Sequence, residues 1–179
     1  MSDVLLGFKP GEECSICKGR CCKECGCSLS PDDLTEEQLK ALGAEETCTE
    51  FLKSENCLYA IDMARLKGSV FYYLRMRSKC YTFIGIEGYG ECIALTDKGC
   101  ELSFEKRPKG GRGLKSSADF RCIQEYTPEE MVVDWKPYQK VLEAIWKKYS
   151  AELEADGTIE KCEKAYEMMM RERMKNRQV

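Results

Sequence analysis

Six thiols lie within fourteen residues in Cys14-Ser-Ile-Cys17-Lys-Gly-Arg-Cys21-Cys22-Lys-Glu-Cys25-Gly-Cys27, and this stretch constrains the chain more than any other. Adjacent cysteines such as Cys21 and Cys22 rarely pair with one another, whereas Cys-x2-Cys and Cys-x3-Cys turns aim two sulfurs at one metal. Dense free thiolate is also prone to oxidation. The stretch therefore predicts a metal–thiolate site, with the remaining chain as the scaffold that completes and covers it.

Composition narrows the chemistry. Across 179 residues there are 13 cysteines and no histidine. Without histidine there is no Ser-His or Cys-His catalysis and no two-His zinc site, so a metal here takes thiolates, with a carboxylate as the remaining option. The length suffices for one compact domain that needs no disulfides to stand. Met1 to Pro10 holds a short apolar patch without the basic flank or cleavage pattern of a secretory signal, which predicts a reducing cytoplasm. No apolar run approaches the length of a membrane span, so no membrane association is expected. Net charge is −3, but residues 105–121 carry six bases against Glu105 and Asp119.

Taken in order, Ser30-Pro31-Asp32-Asp33 predicts a helix start, with the helix running to Leu42 and stopping at Gly43. Its Leu34, Leu39 and Leu42 share a face expected to pack over the metal site. Apolar spacing through Phe51, Leu52, Tyr59, Ile61 and Leu66 predicts a second helix over 45–66, ending at Gly68. Val70 to Arg77, Tyr81 to Ile86 and Glu91 to Leu95 are aromatic and β-branched and predict a small antiparallel sheet with a hairpin at 87–90. Its last strand delivers Cys92, and the turn at Asp97-Lys-Gly99 delivers Cys100.

Lys106-Arg-Pro-Lys-Gly-Gly-Arg-Gly113 predicts a basic loop, followed by Cys122. Thr127-Pro-Glu-Glu130 is a capping box opening a helix that Pro137 breaks or restarts. Helices over 137–153 and 158–175 complete the chain, the last with Ile159, Cys162, Tyr166, Met169 and Met170 on one face.

Four thiolates saturate one zinc ion or one cubane cluster, so Cys14, Cys17, Cys21, Cys22, Cys25 and Cys27 together with Cys92, Cys100 and Cys122 exceed one mononuclear site. One or two zinc or iron–sulfur centres follow. The Cys-x3-Cys-x2-Cys of radical enzymes that split S-adenosylmethionine is absent, and no βαβ pattern supports a thioredoxin-like role for Cys14 and Cys17. The basic loop reads as charge compensation, with Lys18, Arg20, Lys23, Arg107 and Arg112 lowering thiol pKa values, rather than as a nucleic-acid surface. Gly110-Gly-Arg-Gly113 lacks the Gly-Lys-Ser/Thr ending of a phosphate loop. Cys48, Cys57, Cys80 and Cys162 are isolated and expected to be structural.

Read together, Cys-x2-Cys-x3-Cys-Cys, Leu29-Ser-Pro-Asp-Asp33, Gly90-Glu-Cys92, Gly99-Cys100-Glu-Leu102 and Arg107-Pro108 resemble the YkgJ-like cysteine-cluster family, described as chelating zinc or iron. The family's cysteine module also occurs in flagellin lysine-N-methylases. The resemblance covers residues 10–122 and implies Cys14, Cys17, Cys21, Cys22, Cys92 and Cys100 as ligands. It departs at one place: where the family commonly has a further cysteine before an arginine, this chain has Gly111 before Arg112. Either Cys122 or the extra pair Cys25 and Cys27 is left to supply the missing thiolate, or the site is built differently from the family's usual one.

The expectation is an α+β fold, with a cysteine-cluster domain over 1–126 and helices over 127–179 packed on it. The expected role is a metal-binding protein holding an iron–sulfur cluster or zinc, in electron transfer or as accessory to a partner enzyme, a protein partner being the expected one. The alternative is a metal-dependent enzyme modifying protein or peptide lysine. Oligomeric state is open, the Met-rich last helix offering a dimer surface.

Overall fold

Lys67-Gly68 lies between two apolar runs and folds one back on the other. The computed structural model describes residues 19, 21–23, 26–79, 83–85, 90–115, 123–124 and 126–176, with Cys21 described by its backbone. In it β1 (Tyr59–Leu66) pairs antiparallel with β2 (Ser69–Met76), in register from Tyr59↔Met76 to Leu66↔Ser69. Lys67 and Gly68 have φ of 49° and 84°, the left-handed pair whose twist matches that of a two-residue hairpin.

This hairpin replaces the second half of the helix expected over 45–66. The helix, α2 (Glu45–Lys53), ends at Ser54, and Tyr59 onward is strand. Tyr59, Ile61 and Leu66 fit a helical spacing, but eight residues of pairing with β2 outweigh that local preference. The first predicted helix is likewise divided. Asp33 Oδ2 accepts from the Ser30 N–H at 2.8 Å and closes a 3₁₀ turn over Pro31–Asp33, after which Leu34 is extended. A second cap then starts α1 (Glu36–Ala41): Thr35 Oγ1 accepts from Gln38 N at 3.2 Å, and Gln38 Oε1 from Thr35 N at 2.9 Å.

The carboxyl-terminal elements follow the sequence closely. Thr127 and Glu130 cap α4 (Pro128–Asp134) reciprocally, a 3₁₀ turn at Lys136–Tyr138 carries Pro137, and α5 (Gln139–Ala155) and α6 (Thr158–Asn176) follow. β3 (Leu95–Thr96) pairs with β4 (Gly99–Cys100), and β5 (Leu114–Lys115) with β6 (Ile123–Gln124). The fold is α+β, its largest described sheet the β1–β2 hairpin. The expected hairpin at 87–90 falls mostly outside the described residues. Of the expected strand 81–86, Ile84 makes one parallel bridge to Ile61. The expected basic loop contains a one-turn helix, α3 (Lys109–Arg112), with Gly110 and Gly111 buried in it. Glycine's low propensity is overcome there by tertiary clamps described below.

The main core gathers Leu29, Leu34, Leu42, Leu52, Ile61, Leu74, Trp135, Leu142 and Ile145 between the hairpin and α2, α4 and α5. Leu34 and Leu42 therefore pack into this core rather than over the thiols. Trp135, fully buried, donates from Nε1 to the Leu29 carbonyl at 2.9 Å. Among the described residues no helix is long and apolar enough to cross a membrane.

The outer edge of β2 positions everything that follows. Gln139 offers its side-chain amide to that edge as a strand would, accepting from Tyr72 N at 2.9 Å and donating to Tyr72 O at 2.7 Å. Further along the same edge, Leu29 N donates to Leu74 O at 2.8 Å and Met76 N to Cys27 O at 2.9 Å. An edge otherwise open to another chain is thus used to hold the segment Cys27–Leu29.

Candidate metal centre

Beyond Met76 the backbone of β2 continues into a second pairing. Ile93 N donates to Arg77 O at 2.9 Å, Lys79 N to Glu91 O at 3.1 Å, and Ser78 bridges Cys92. Cys92 N in turn donates to the Cys22 carbonyl at 2.7 Å. The early cysteine stretch and the region around Cys92 therefore meet on one extension of the hairpin.

Four thiols are described there. Cys22 and Cys92 are buried with Met76, Ala94 and Leu95, while Cys27 and Cys100 are half-buried against the same cluster. Gly26 permits the approach, since a Cβ there would stand 2.5 Å from the Met76 carbonyl oxygen. A hydrogen bond from Cys22 holds the Cys92 thiol down at about 7, against burial, helped by the backbone N–H groups of Ala94 and Cys27 and by the Arg75 charge. Cys100 is pushed the other way. Burial raises it, the neighbouring Cys27 and Cys92 add to the rise, and the Leu102 N–H and the buried Arg107 oppose it. Mutual repulsion of this kind is what a bound cation relieves.

Among the described residues no three His, Cys, Asp or Glu side chains already enclose one point as a metal-ion set. What is present is one wall of thiols. Cys14, Cys17, Cys25 and Cys122, with the Cys21 side chain, lie outside the described residues, so their placement in the centre stays an expectation. The wall suits a soft, thiolate-preferring group: it offers sulfur alone, one thiol already near its ionised state, and backbone N–H groups aimed at the sulfurs.

The place left without a cysteine at position 111 is not empty. A Cβ built on Gly111 would lie 2.9 Å from Cys27 Sγ and 3.5 Å from Cys27 Cβ. The Cys27 sulfur thus occupies the room that a side chain at 111 would take. α3 is fixed in this position by Gly110 N donating to Ser28 O at 3.1 Å, and by Asp33, which accepts from Lys109 N and Arg112 Nη2, each at 2.8 Å. Reading the sequence gave no hint that Asp33, a helix-start residue, also anchors α3 from 76 positions away.

The expected charge compensation is divided. Arg107 is beside Cys100, but Arg112 pairs with Asp33, and Lys109 pairs with Asp134 at 3.0 Å and stands over the Tyr126 ring. Lys18 and Arg20 lie outside the described residues. Arg75, not singled out from sequence, is the cation acting on Cys92; it is buried and pairs with Asp62 at 2.7 Å. Cys48, Cys57 and Cys162 are buried away from this cluster, as expected of structural cysteines, and Cys80 lies outside the described residues. A cavity of about 430 Å³ shares Met76 and Leu102 with the thiol cluster and is also lined by Leu29, Tyr59, Arg107 and Arg112.

Comparison with family models, with curated proteins and with solved structures gives no match.

Proposed function

We propose that this chain is a thiolate metal-binding protein, holding zinc or an iron–sulfur cluster in a reducing compartment such as the cytoplasm and serving electron transfer or a partner enzyme. The observation that carries the reading is the meeting of Cys22 and Cys27 with Cys92 and Cys100, about seventy residues apart in sequence, on one wall. Chance burial of hydrophobic cysteines accounts for Cys48 or Cys162 singly, but not for four thiols gathered in one cluster, where Cys22 lowers Cys92 and where Cys27 and Cys92 add to the rise of Cys100. Cys14, Cys17, Cys21 and Cys25 complete the opposite side in this reading, with Cys122 as a further donor, in keeping with the YkgJ-like resemblance. Arg107 and Arg75 supply counter-charge.

A second reading, a metal-dependent enzyme acting on protein or peptide lysine, is favoured by the cavity that shares a wall with the thiols, since 430 Å³ is within the range of small-ligand sites. In either case the bound group supplies a Lewis-acid or one-electron centre, and the chain's own residues set its charge balance and access.

Anaerobic purification with metal analysis and visible absorption tests the reading. Stoichiometric zinc in a colourless protein excludes the cluster, iron and sulfide with charge-transfer absorption exclude simple zinc, and folded protein without metal overturns both. Cys22→Ala and Cys92→Ala should each lower metal content at least about tenfold, while Cys162→Ala leaves it unchanged. Equal content in all three overturns the ligand assignment.

A further inference from the structure

Cys27 reaches the thiol wall from the edge of β2, while α3 crosses over it with its two glycines turned inward. Resting on the thiolate-centre reading, we propose that Cys27 is a ligand whose sulfur position is shared with residue 111: one locus that can be supplied from either backbone, available to Cys27 here because Gly111 has no side chain.

The Cβ of a residue at 111 would be 3.5 Å from Cys27 Cβ, a separation found across disulfides, and 2.9 Å from its sulfur. In the rotamer directed at Cys27, a sulfur carried on that Cβ comes within a bond length or two of the place that Cys27 Sγ holds. Neither backbone is free to retreat. Cys27 O is fixed by Met76 N, Gly110 N by Ser28 O, and the start of α3 by Asp33. Arg107 Cβ, 3.2 Å from that Cβ, has only a few tenths of an ångström to give, whereas the 2.9 Å contact forces a real displacement, and the atom able to make it is the Cys27 sulfur, by rotation about its Cα–Cβ bond. The locus faces the wall because Cys27 packs with Cys100 against the cluster that holds Cys22 and Cys92.

An unusual signature follows for Gly111→Ala. The change adds one methyl group, favours the helical backbone of α3 and removes no sulfur, yet it evicts the Cys27 thiol from the centre. Zinc affinity, measured on the full chain by competition with a chromophoric chelator, should fall about tenfold or more in both Cys27→Ala and Gly111→Ala. The double variant Cys27→Ala/Gly111→Cys should return to within about threefold of the original protein, because the thiol is restored from the other backbone. If Cys27→Ala binds zinc as the original does, or if the double variant binds no better than Cys27→Ala, the proposal is wrong.

A metal-free arm separates this claim from the metal reading. In the single variant Gly111→Cys, treated with diamide, the introduced thiol and Cys27 should join as a disulfide. The two thiols lose two protons and two electrons, and diamide is reduced to the hydrazine. Mass spectrometry of the cross-linked peptides reads the bond. A disulfide in a chain that never binds metal would leave the shared locus standing and defeat the metal reading, whereas no disulfide at this spacing overturns the shared locus.

Discussion

Cys48 is fully buried in the main core, and its thiol is pushed up to about 12 by that burial, with Cys57 adding to the rise. An unfolded cysteine ionises near its ordinary 9.0, so above that value the unfolded chain gives up a proton that the folded chain keeps. This residue's contribution is therefore intact below pH 9.0 and is lost as pH climbs towards about 12. Urea unfolding of metal-free protein between pH 8 and 11 should therefore show the original chain losing about 2 to 3 kcal/mol more than Cys48→Ala over the same range. Parallel curves for the two proteins would show that Cys48 ionises normally. Arg75 poses the opposite problem, a charge already buried. It donates to Asp62 at 2.7 Å, with the Tyr73 hydroxyl donating to the same carboxylate oxygen at 3.1 Å. Arg75→Met leaves Asp62 buried without its cation and should cost about 3 to 5 kcal/mol in thermal or urea unfolding, whereas Asp62→Leu/Arg75→Met, removing both charges, should cost less than either single change.

At the scale of elements, what the sequence revealed and what it concealed divide along the reach of the interactions. The capping box at Thr127–Glu130, the restart at Pro137 and the last two helices depend on residues within four positions of each other, and all were legible. The helix expected over 45–66 became α2 and β1 because Tyr59 and Ile61 suit either periodicity, and the partner that decides between them, β2, lies beyond the Lys67-Gly68 turn. That doublet is the available clue, since it stands between two apolar runs, where Gly68 suits a helix stop and a hairpin turn alike. The basic run at 106–113 hid α3 because no local propensity favours Gly-Gly in a helix; Asp33 and Ser28 impose it from far away in sequence. The candidate site was legible to the same degree. Cys92 and Cys100 were expected to lie with the early cysteines, and the hairpin extension sets them in one cluster with Cys22 and Cys27. That Leu34 and Leu42 turn away from the thiols, and that Arg75 rather than Arg112 is the second cation near them, depend on packing that no spacing encodes.

At the scale of the whole molecule, no described residue of α6 belongs to the thiol cluster. α6 packs chiefly on α5, whose other faces meet β2 and α2. A chain ending at Gly157 should keep the far-ultraviolet helical signature of its remaining elements and full metal content, with a thermal midpoint lowered by a few degrees for lost burial around Cys162. Loss of metal on that truncation would show that α6 supports the centre. The wall, in contrast, is drawn from segments about seventy residues apart. A chain emerging from a ribosome at about 5 to 20 residues per second presents Cys22 and Cys27 roughly 4 to 16 seconds before Cys100 exists to meet them. During that interval the early thiols stand open to oxidants and to stray metal ions, and the order of synthesis sets how long that exposure lasts.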